Sequence, residues 1–501
     1  MDWLHEHWLQ LLFVGLYLVM LAWHGWLGKR RTHGLDDYLV GGRQLGGVVI
    51  GLSFYATFVS SVTFVGHAGR SYAYGPSWWL ICVVVFTTMV FVSWFVIAPP
   101  FTKRARELGA LTVPDFLGFQ FDSILLRQLA GAVVVVASLA YMVAVYEGAT
   151  MLLGVLLDLD PTLVTVIIFV VVTAYTLAGG FHSVVTTDAV QGVILLAGGL
   201  LLPVSMVMRA GGIGPLLDDV RAAMPSVLDW QPHGELAGEV TIGTLIGLAL
   251  GVGLKIIVEP RQLSRFYGLA DDHQLRRGRW IAPLMLFTTY LVMLPVGFLA
   301  HAFVTPADLG GGTGKSLTDS VIPHLLGPDV GLLGPLAGAF FLTGLVAAAM
   351  SSIDSVLLVA ASSVDHDVIA PTRSDDRGVG RTRLWVLLLS AAAALLSLML
   401  DQGITEMSSF SGSLYAACFL PTLILGLFWR RLGRAAALAA VATGFTTTLV
   451  WFILRQGEWL GEWKAVHEVY IGVTCAHGVA FLVTWLGGKK GKPPALPTAI
   501  N

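Results

Sequence analysis

The hydrophobic positions of this 501-residue chain are gathered into long apolar stretches separated by polar connections. A helix that spans a bilayer takes about 20 predominantly apolar residues, and thirteen stretches approach or exceed that length. The sequence therefore predicts an all-α polytopic membrane protein with thirteen transmembrane helices. The predicted spans are 8–27, 45–69, 77–99, 129–157, 163–180, 187–208, 240–260, 280–304, 333–369, 383–401, 404–428, 435–454 and 467–487.

Lysine and arginine are distributed unevenly between alternate connections. One set of connections, which begins with Lys29, Arg30 and Arg31, holds 23 of the 30 basic residues, and the other set holds six. The remaining one, Lys255, lies inside the seventh predicted span. Because cytoplasmic loops carry the excess of lysine and arginine, we expect the N-terminus outside the cell and the C-terminus inside.

Composition supports a multi-pass protein of the cell membrane and excludes other classes. The chain is 55% hydrophobic and 12% charged, whereas soluble domains carry about 25% charged residues. Its net charge of −2 argues against nucleic acid as a partner. Cys82, Cys418 and Cys475 lie in hydrophobic runs without a CxxC pair, which predicts packing rather than a disulfide framework or thiolate metal site. The first apolar run is too long for a signal-peptide core, and we expect it to be retained.

The most polar part of a predicted span is the stretch Ala347–Asp367. It places Ser351, Ser352, Asp354 and Ser355 within five residues of an otherwise apolar helix. Such groups are expensive in hydrocarbon unless they face a partner or a cavity, and oxygen ligands suit a hard cation. An alkali-ion site is one interpretation. The other is that the hydroxyls bond to the preceding turn and Asp354 pairs with a neighbouring helix.

The second predicted span is also rich in hydroxyl groups. It carries Ser53, Thr57, Ser60, Ser61 and Thr63. Small and hydroxyl residues let membrane helices pack closely. They are equally typical of a helix that is interrupted at mid-membrane, whose freed carbonyls and half-helix ends bind an ion and a substrate.

Isolated charges in the other spans have two interpretations each. Asp188 is either an interfacial carboxylate or cap or part of an ion site. Lys255 either pairs with Glu259 one turn on, or reaches the interface, or else supplies positive charge to an anionic substrate. For His366, at an inner helix end, we expect a solvated cluster with its flanking aspartates rather than a metal site. The sequence shows no nucleophile–base or metal constellation, so an enzyme is not predicted.

Four segments together resemble the sodium/solute symporter family, which has the leucine-transporter-like inverted-repeat fold. They are DDYLVGGR at 36–43, YTLAGGFHSVVTTDAVQ at 175–191, the stretch at 347–367, and the segment from GSL at 412 to GLFWRR ending at 431. The resemblance implies a single membrane transporter domain over the whole chain, with broken helices at the second and seventh spans. An extra N-terminal helix (8–27) would precede a five-plus-five repeat core (45–428), followed by two C-terminal helices (435–487) and a cytoplasmic tail (488–501).

The resemblance also implies a sodium site, with Na⁺ as the coupling ion. Its ligands would be the backbone carbonyls of Ala56, Val59 and Ala348 and the hydroxyls of Ser351 and Ser352. Five oxygens are chemically sensible for one monovalent ion, and the i, i+3 spacings place helical ligands on one face.

Some family members hold a second ion near the Thr-Asp pattern. The matching positions here are Asp188, Asp354 and Ser355, beside Ser351. Relatives often have a hydroxyl where this chain has Asp354. Two acids at this place could bind Na⁺ more strongly or share a proton.

The expected substrate is a small organic anion. Proline-type members have an aspartate at the position of Phe58, and sugar-type members have a Glu-Gln pair where Val62 and Thr63 stand; this chain has neither. The segment resembles that of members which carry small anions such as monocarboxylates, and Lys255 favours the same class. The candidate substrate contacts are Thr57, Phe58, Thr63, Trp79, Lys255 and Thr405.

The predicted function is thus Na⁺-coupled import of a small-molecule monocarboxylate by alternating access, within the lipid bilayer and without an obligate protein partner. The alternative is a Na⁺-coupled symporter of a zwitterionic or neutral solute, such as proline or a sugar. From another class, a sensor would bring a C-terminal signalling domain, yet only about 14 residues follow the last predicted helix. A channel would pass current without saturable uptake.

Overall fold

The structure is a computed structural model that describes residues 2–31, 34–230, 240–309, 315–369, 378–400, 403–429, 431–457 and 459–487. The predicted cytoplasmic tail, 488–501, lies outside these ranges. The described residues are helices and their connections, apart from one isolated parallel β-bridge between Leu45 and Leu269.

The α-helices follow one another along the whole chain. They are α1 (Asp2–Arg31), α2 (Leu35–Val40), α3 (Gly47–Phe58), α4 (Ala68–Phe91), α5 (Ala98–Leu108), α6 (Val113–Gln120), α7 (Ile124–Leu157), α8 (Pro161–Arg209), α9 (Ile213–Ala223), α10 (Ile242–Val258), α11 (Pro260–Gly268), α12 (Asp272–Gly278), α13 (Ile281–Met293), α14 (Pro295–Leu299), α15 (Lys315–Leu326), α16 (Pro335–Ser362), α17 (Gly378–Met399), α18 (Ile404–Phe419), α19 (Leu425–Phe428), α20 (Arg434–Gln456) and α21 (Glu468–Leu486).

Shorter 3₁₀ and π-helical turns adjoin several of these helices. The π-helical segments are Val62–His67, Val92–Ile97, Ser363–Ile369 and Leu420–Ile424, and the 3₁₀ segments are Gly41–Arg43, Pro225–Leu228, Ala300–Ala302 and Gly461–Ala465. A π-turn inside a helix often marks a functional region. Two of them, Val62–His67 and Ser363–Ile369, adjoin groups of buried polar residues described below.

Eleven helical segments within the described residues are long and apolar enough to cross a membrane, and two shorter apolar helices, Gly47–Phe58 and Pro161–Leu177, accompany them. The polytopic all-helical architecture predicted from the sequence is therefore present. The number of thirteen spans and the outward N-terminus remain predictions.

Two of the predicted spans contain a break. Helix α3 ends at Phe58, and Val59 is extended at φ −76° and ψ 120° before the π-helical turn begins. Helix α10 ends at Val258, and Glu259 takes a similar extended conformation at φ −65° and ψ 127° before Pro260 starts α11. The interruptions expected in the second and seventh spans therefore lie at Val59 and Glu259.

Glycines at two contacts bring backbones together. Gly180 divides α8 with a left-handed φ of 60°, and a Cβ there would lie 2.8 Å from the Tyr38 ring. A Cβ on Gly412 in α18 would lie 1.9 Å from the carbonyl oxygen of Gly251 in α10. Only glycine permits this contact, so α10 and α18 pack backbone against backbone.

Candidate functional site

Two serines of α16 meet the end of α3 at its break. The Ser351 hydroxyl lies 3.0 Å from the carbonyl oxygen of Ala56 and 3.2 Å from that of Ala348. The Ser352 hydroxyl lies 3.3 Å from the carbonyl oxygen of Thr57. Both serines are fully buried. The structure thus brings together Ala56, Ala348, Ser351 and Ser352, although Ala56 and Ser351 lie 295 positions apart in sequence.

The fifth predicted ligand, Val59, lies just beyond the end of α3, where its amide donates to the Tyr55 carbonyl at 3.1 Å. Ser352 donates to the Thr57 carbonyl instead of reaching Val59. The last carbonyls of a helix lack intrahelical partners and carry the negative end of the helix dipole. Neutral oxygens in such a place, with hydroxyls that can rotate, suit an alkali ion.

The predicted second ion position is organised around an arginine. The Arg265 Nη2 atom lies 2.7 Å from Asp188 Oδ2 and 2.5 Å from the Ser355 hydroxyl. The hydroxyls of Ser53 and Thr57 lie 2.8 and 3.2 Å from the same Asp188 oxygen. A guanidinium therefore already neutralises Asp188, and the second Na⁺ or proton position at Asp188, Asp354 and Ser355 remains a prediction. Thr57 belongs to this network through its hydroxyl.

Asp354 differs from Asp188 in having no such partner. It is fully buried, and neither of its carboxylate oxygens has a hydrogen-bond partner among the described residues. An unpaired buried carboxylate is costly. One interpretation of the sequence was that Asp354 pairs with a residue of a neighbouring helix. No such ion pair or hydrogen bond is present among the described residues.

Arg265 and Arg261 are buried charges beside these sites that the sequence interpretation missed. Both lie beyond the predicted seventh span, 240–260, yet they are 0% and 1% exposed. They belong to α11, the second half of the seventh span, which begins at Pro260. Proline at the first position of a helix is a standard start signal, and Glu259-Pro260 could have revealed the second half-helix.

Lys255 lies in the interior, 2% exposed. Its Nζ atom is 3.1 Å from the Ser408 hydroxyl and 4.0 Å from the centroid of the Tyr141 ring. The proposed i, i+4 partner, Glu259, forms its ion pair with Arg261 at 3.0 Å. The structure therefore corrects both structural interpretations of Lys255: it neither pairs with Glu259 as expected nor reaches the interface.

An aromatic cluster adjoins Lys255. Phe58 packs against Phe86 and Tyr290 with centroid distances of 6.0 and 6.4 Å, and the Lys255 Nζ atom lies 5.9 Å from the Phe58 ring. The Thr63 hydroxyl is 3.3 Å from that of Tyr290. Phe58, Thr63 and Lys255 therefore lie close together in the interior of the protein.

Trp79 does not join this region. Its indole nitrogen donates to the Leu291 carbonyl at 3.2 Å on the exposed side of the helix, and its ring contacts Phe298. The preceding residue, Trp78, is the buried one, and its indole donates to the His67 carbonyl at 2.9 Å. Trp79 as a substrate contact remains a prediction, and an apolar helix gives little sequence signal about which of two adjacent tryptophans points inward.

Thr405, at the start of α18, lies against the second span. A Cβ on Gly66 would be 2.5 Å from the Thr405 hydroxyl, and that hydroxyl has no hydrogen-bond partner among the described residues. The next residue, Glu406, forms a buried ion pair with Arg70 of α4. This pair links α18 to α4.

The site is typical of an ion-coupled solute transporter with broken helices. It combines buried oxygens at a helix break, a second broken span and an interior lysine. The sequence model of the sodium:solute symporter family matches residues 38–444. The chain belongs to this family. Its members are transporters rather than enzymes, and the protein is a Na⁺-coupled solute symporter of the cell membrane.

Named relatives cover nearly the whole chain. The osmoregulated proline transporter OpuE of Bacillus subtilis (strain 168) is 30% identical over 489 residues, 96% of this chain and 95% of that protein. The high-affinity proline transporter PutP of the same strain is 29% identical over 450 residues, 87% and 91% of the two chains. A sodium/proline symporter of Staphylococcus aureus (strain JH9) is 26% identical over 97% and 94%.

Among solved structures, a Na⁺-coupled sialic acid symporter in a substrate-bound outward-open state is similar, with a TM-score of 0.80. It is 18% identical and the match covers 97% of this chain and 99% of that one. The likeness shows the leucine-transporter-like fold. The named relatives are proline transporters, so the expectation of a monocarboxylate-type member is not supported.

Proposed function

We propose that this protein imports a zwitterionic amino acid, with proline as the first candidate, together with Na⁺. The similarity to proline transporters over nearly the whole chain favours this substrate class. The observation that carries the coupling mechanism is the contact of Ser351 and Ser352 with the carbonyl end of α3.

The proposed sodium site uses the carbonyls of Ala56, Val59 and Ala348 and the hydroxyls of Ser351 and Ser352. Each serine hydroxyl would turn its oxygen towards the ion, and the ion would hold α16 against the broken helix. Separation of α16 from α3 would then remove the two hydroxyls and release the ion. The membrane potential contributes about 2.3 kcal/mol per charge per 100 mV, so import of a zwitterion with Na⁺ moves charge.

Lys255 is the proposed partner of the substrate carboxylate. It lies in the interior beside Ser408 and the Tyr141 ring, where an ammonium–carboxylate contact is much stronger than in water. Phe58 and Tyr290 offer aromatic faces for the apolar part of the solute and for its positively charged amine. Phe58 stands where proline-type relatives have an aspartate, so the amine would rely on these faces and on the hydroxyls of Thr63 and Thr405.

The second predicted ion position is proposed in a modified form. Arg265 supplies the positive charge next to Asp188 and Ser355, which leaves Asp354 as the acidic group available to a second cation. That cation would be Na⁺ or a proton, as the sequence left open.

The test is uptake into proteoliposomes under an inward sodium gradient, with labelled proline, a monocarboxylate and a sugar as separate solutes. We expect saturable proline uptake that disappears when Na⁺ is replaced by K⁺. The Ser351→Ala/Ser352→Ala protein is the control that lacks the proposed ion ligands. Uptake of the monocarboxylate without uptake of proline would overturn the substrate assignment, and uptake that ignores the sodium gradient would overturn the coupling.

A further inference from the structure

The end of the ninth span holds a group of titratable side chains that transport does not explain. The π-helical turn Ser363–Ile369 continues α16 and carries Asp365, His366 and Asp367. The sequence predicted a solvated cluster here. Instead, Asp365 and Asp367 are 3% and 0% exposed, and the His366 side chain is 16% exposed.

Two of these residues converge with an acid from a distant helix. One ligand atom from each of Asp115, His366 and Asp367 lies within 4.8 Å of the other two. The His366 Nε2 atom is 3.6 Å from Asp115 Oδ2. Asp365 is turned to another partner and pairs with Arg381 at 2.8 Å. The histidine therefore meets one acid from α6 and one from its own turn.

Neighbouring groups fix both carboxylates, and the Leu111 amide also donates to Asp115 Oδ2 at 3.0 Å. Arg127 lies 2.9 Å from Asp115 Oδ1 through Nη1 and 3.0 Å from Asp367 Oδ1 through Nε. Thr112 donates to the same Asp367 oxygen at 2.9 Å. The second oxygen, Asp367 Oδ2, is buried and has no hydrogen-bond partner among the described residues, and the same is true of His366 Nε2.

This arrangement resembles the environment of metal ligands in general. Ligating carboxylates are usually fixed by outer hydrogen bonds, as Arg127 and Thr112 fix these. Two carboxylates and one guanidinium leave a net charge of −1, which a divalent cation would offset. One imidazole nitrogen and two carboxylate oxygens suit a first-row transition metal.

We propose that Asp115, His366 and Asp367 form a binding site for a divalent transition metal of the Zn²⁺ class. Metal–ligand bonds of about 2.0–2.2 Å require the three side chains to approach one another more closely than they do here. The partly exposed His366 ring is the group that can move, and water completes the coordination. The bound ion ties α6 to the end of α16.

The test uses the purified full chain with an affinity tag that contains no histidine. Co²⁺ titration followed by visible absorption, and Zn²⁺ titration followed by calorimetry, report affinity and stoichiometry without any transport measurement. We expect one metal ion per chain and at least a tenfold loss of affinity in His366→Ala. This variant removes a partly exposed side chain whose Nε2 atom makes no hydrogen bond among the described residues, so we expect the fold to be kept, and thermal unfolding checks this. The matched control is His273→Ala, an exposed histidine that follows Asp271 and Asp272.

Each outcome decides the proposal. Loss of affinity in His366→Ala, with His273→Ala unchanged, supports the site. Equal affinity in wild type and His366→Ala overturns it, and so does a wild-type protein that binds neither metal below millimolar concentration. Because no solute is used, these results are independent of whether proline is transported.

Discussion

Replacement of Ser351 and Ser352 by alanine tests the proposed sodium site directly. A hydrogen-bonding group that contacts a charge contributes about 1.5–3 kcal/mol. With no ion bound, the Ser351 hydroxyl is free to donate to the Ala56 carbonyl, 3.0 Å away, and that bond contributes about 1 kcal/mol to the ion-free protein. The net penalty on sodium binding is therefore about 0.5–2 kcal/mol per serine, or roughly 2- to 30-fold at 1.4 kcal/mol per factor of ten.

For the double variant, the penalties add to about 1–4 kcal/mol, or roughly 5- to 700-fold, if the two serines act independently. Sodium-dependent proline uptake should then be strongly reduced at ordinary sodium concentrations. The measurement is equilibrium binding of radioactive sodium, together with uptake as a function of sodium concentration. Ser362→Ala is the matched control, because Ser362 lies on the same helix and bonds locally to the Val359 carbonyl at 2.9 Å. Sodium affinity within twofold of wild type in the double variant would refute the assignment.

Three further substitutions test the other buried charges. Lys255→Ala should raise KM for proline by roughly 10- to 100-fold, as expected for a lost charged hydrogen bond, and should not raise KM for prolinamide, which lacks the carboxylate. Asp188→Asn should destabilise the protein by about 3–5 kcal/mol, because it leaves Arg265 buried and unpaired, and Asp188→Asn/Arg265→Gln should recover part of that loss in thermal unfolding. Arg70→Gln or Glu406→Gln should each destabilise by a similar amount, and the exchange of the two charges should restore stability in part.

A second solute is the control for Lys255→Ala, and double-mutant cycles are the controls for the two ion pairs. Prolinamide keeps the ring and amine of proline without the carboxylate, so unchanged kinetics for both solutes in Lys255→Ala would give Lys255 a structural role. For the two ion pairs, the interaction energy from the cycle should be at least 1 kcal/mol. Strictly additive losses in either cycle would contradict the pairing described here.

Physical reasoning from the sequence was sufficient to single out the serine pair and the hydroxyl-rich second span, whereas the break in the seventh span was implied only by the family resemblance. Hydroxyl-rich apolar segments are rare, so the second span and Ala347–Asp367 were informative by themselves. The contact of Ser351 with Ala56 followed from the family resemblance rather than from spacing, since the two residues lie 295 positions apart.

The burial of individual side chains could not be predicted from the sequence. Hydropathy treats Arg261 and Arg265 as connection residues, whereas the structure buries them because α11 continues past Glu259 and its charges find acidic partners. The identity of the inward tryptophan, Trp78, depends on the rotation of α4, which an almost uniformly apolar helix does not encode. The burial of Asp367 depends on Arg127, 240 residues away in sequence.

The backbone contact of Gly251 with Gly412 has a mechanical consequence for the interior. Helices that pack through interlocking side chains meet a barrier to sliding, because each side chain must cross a ridge of the neighbouring helix. Helices that pack backbone against backbone lack this barrier and can slide by small steps. Lys255 lies one turn beyond Gly251, and Ser408 one turn before Gly412, so such sliding would lengthen or shorten the 3.1 Å contact between them. A methyl group at either glycine would push α10 and α18 apart. The helices could then no longer slide along each other, and the distance between Lys255 Nζ and the Ser408 hydroxyl would stay at one value.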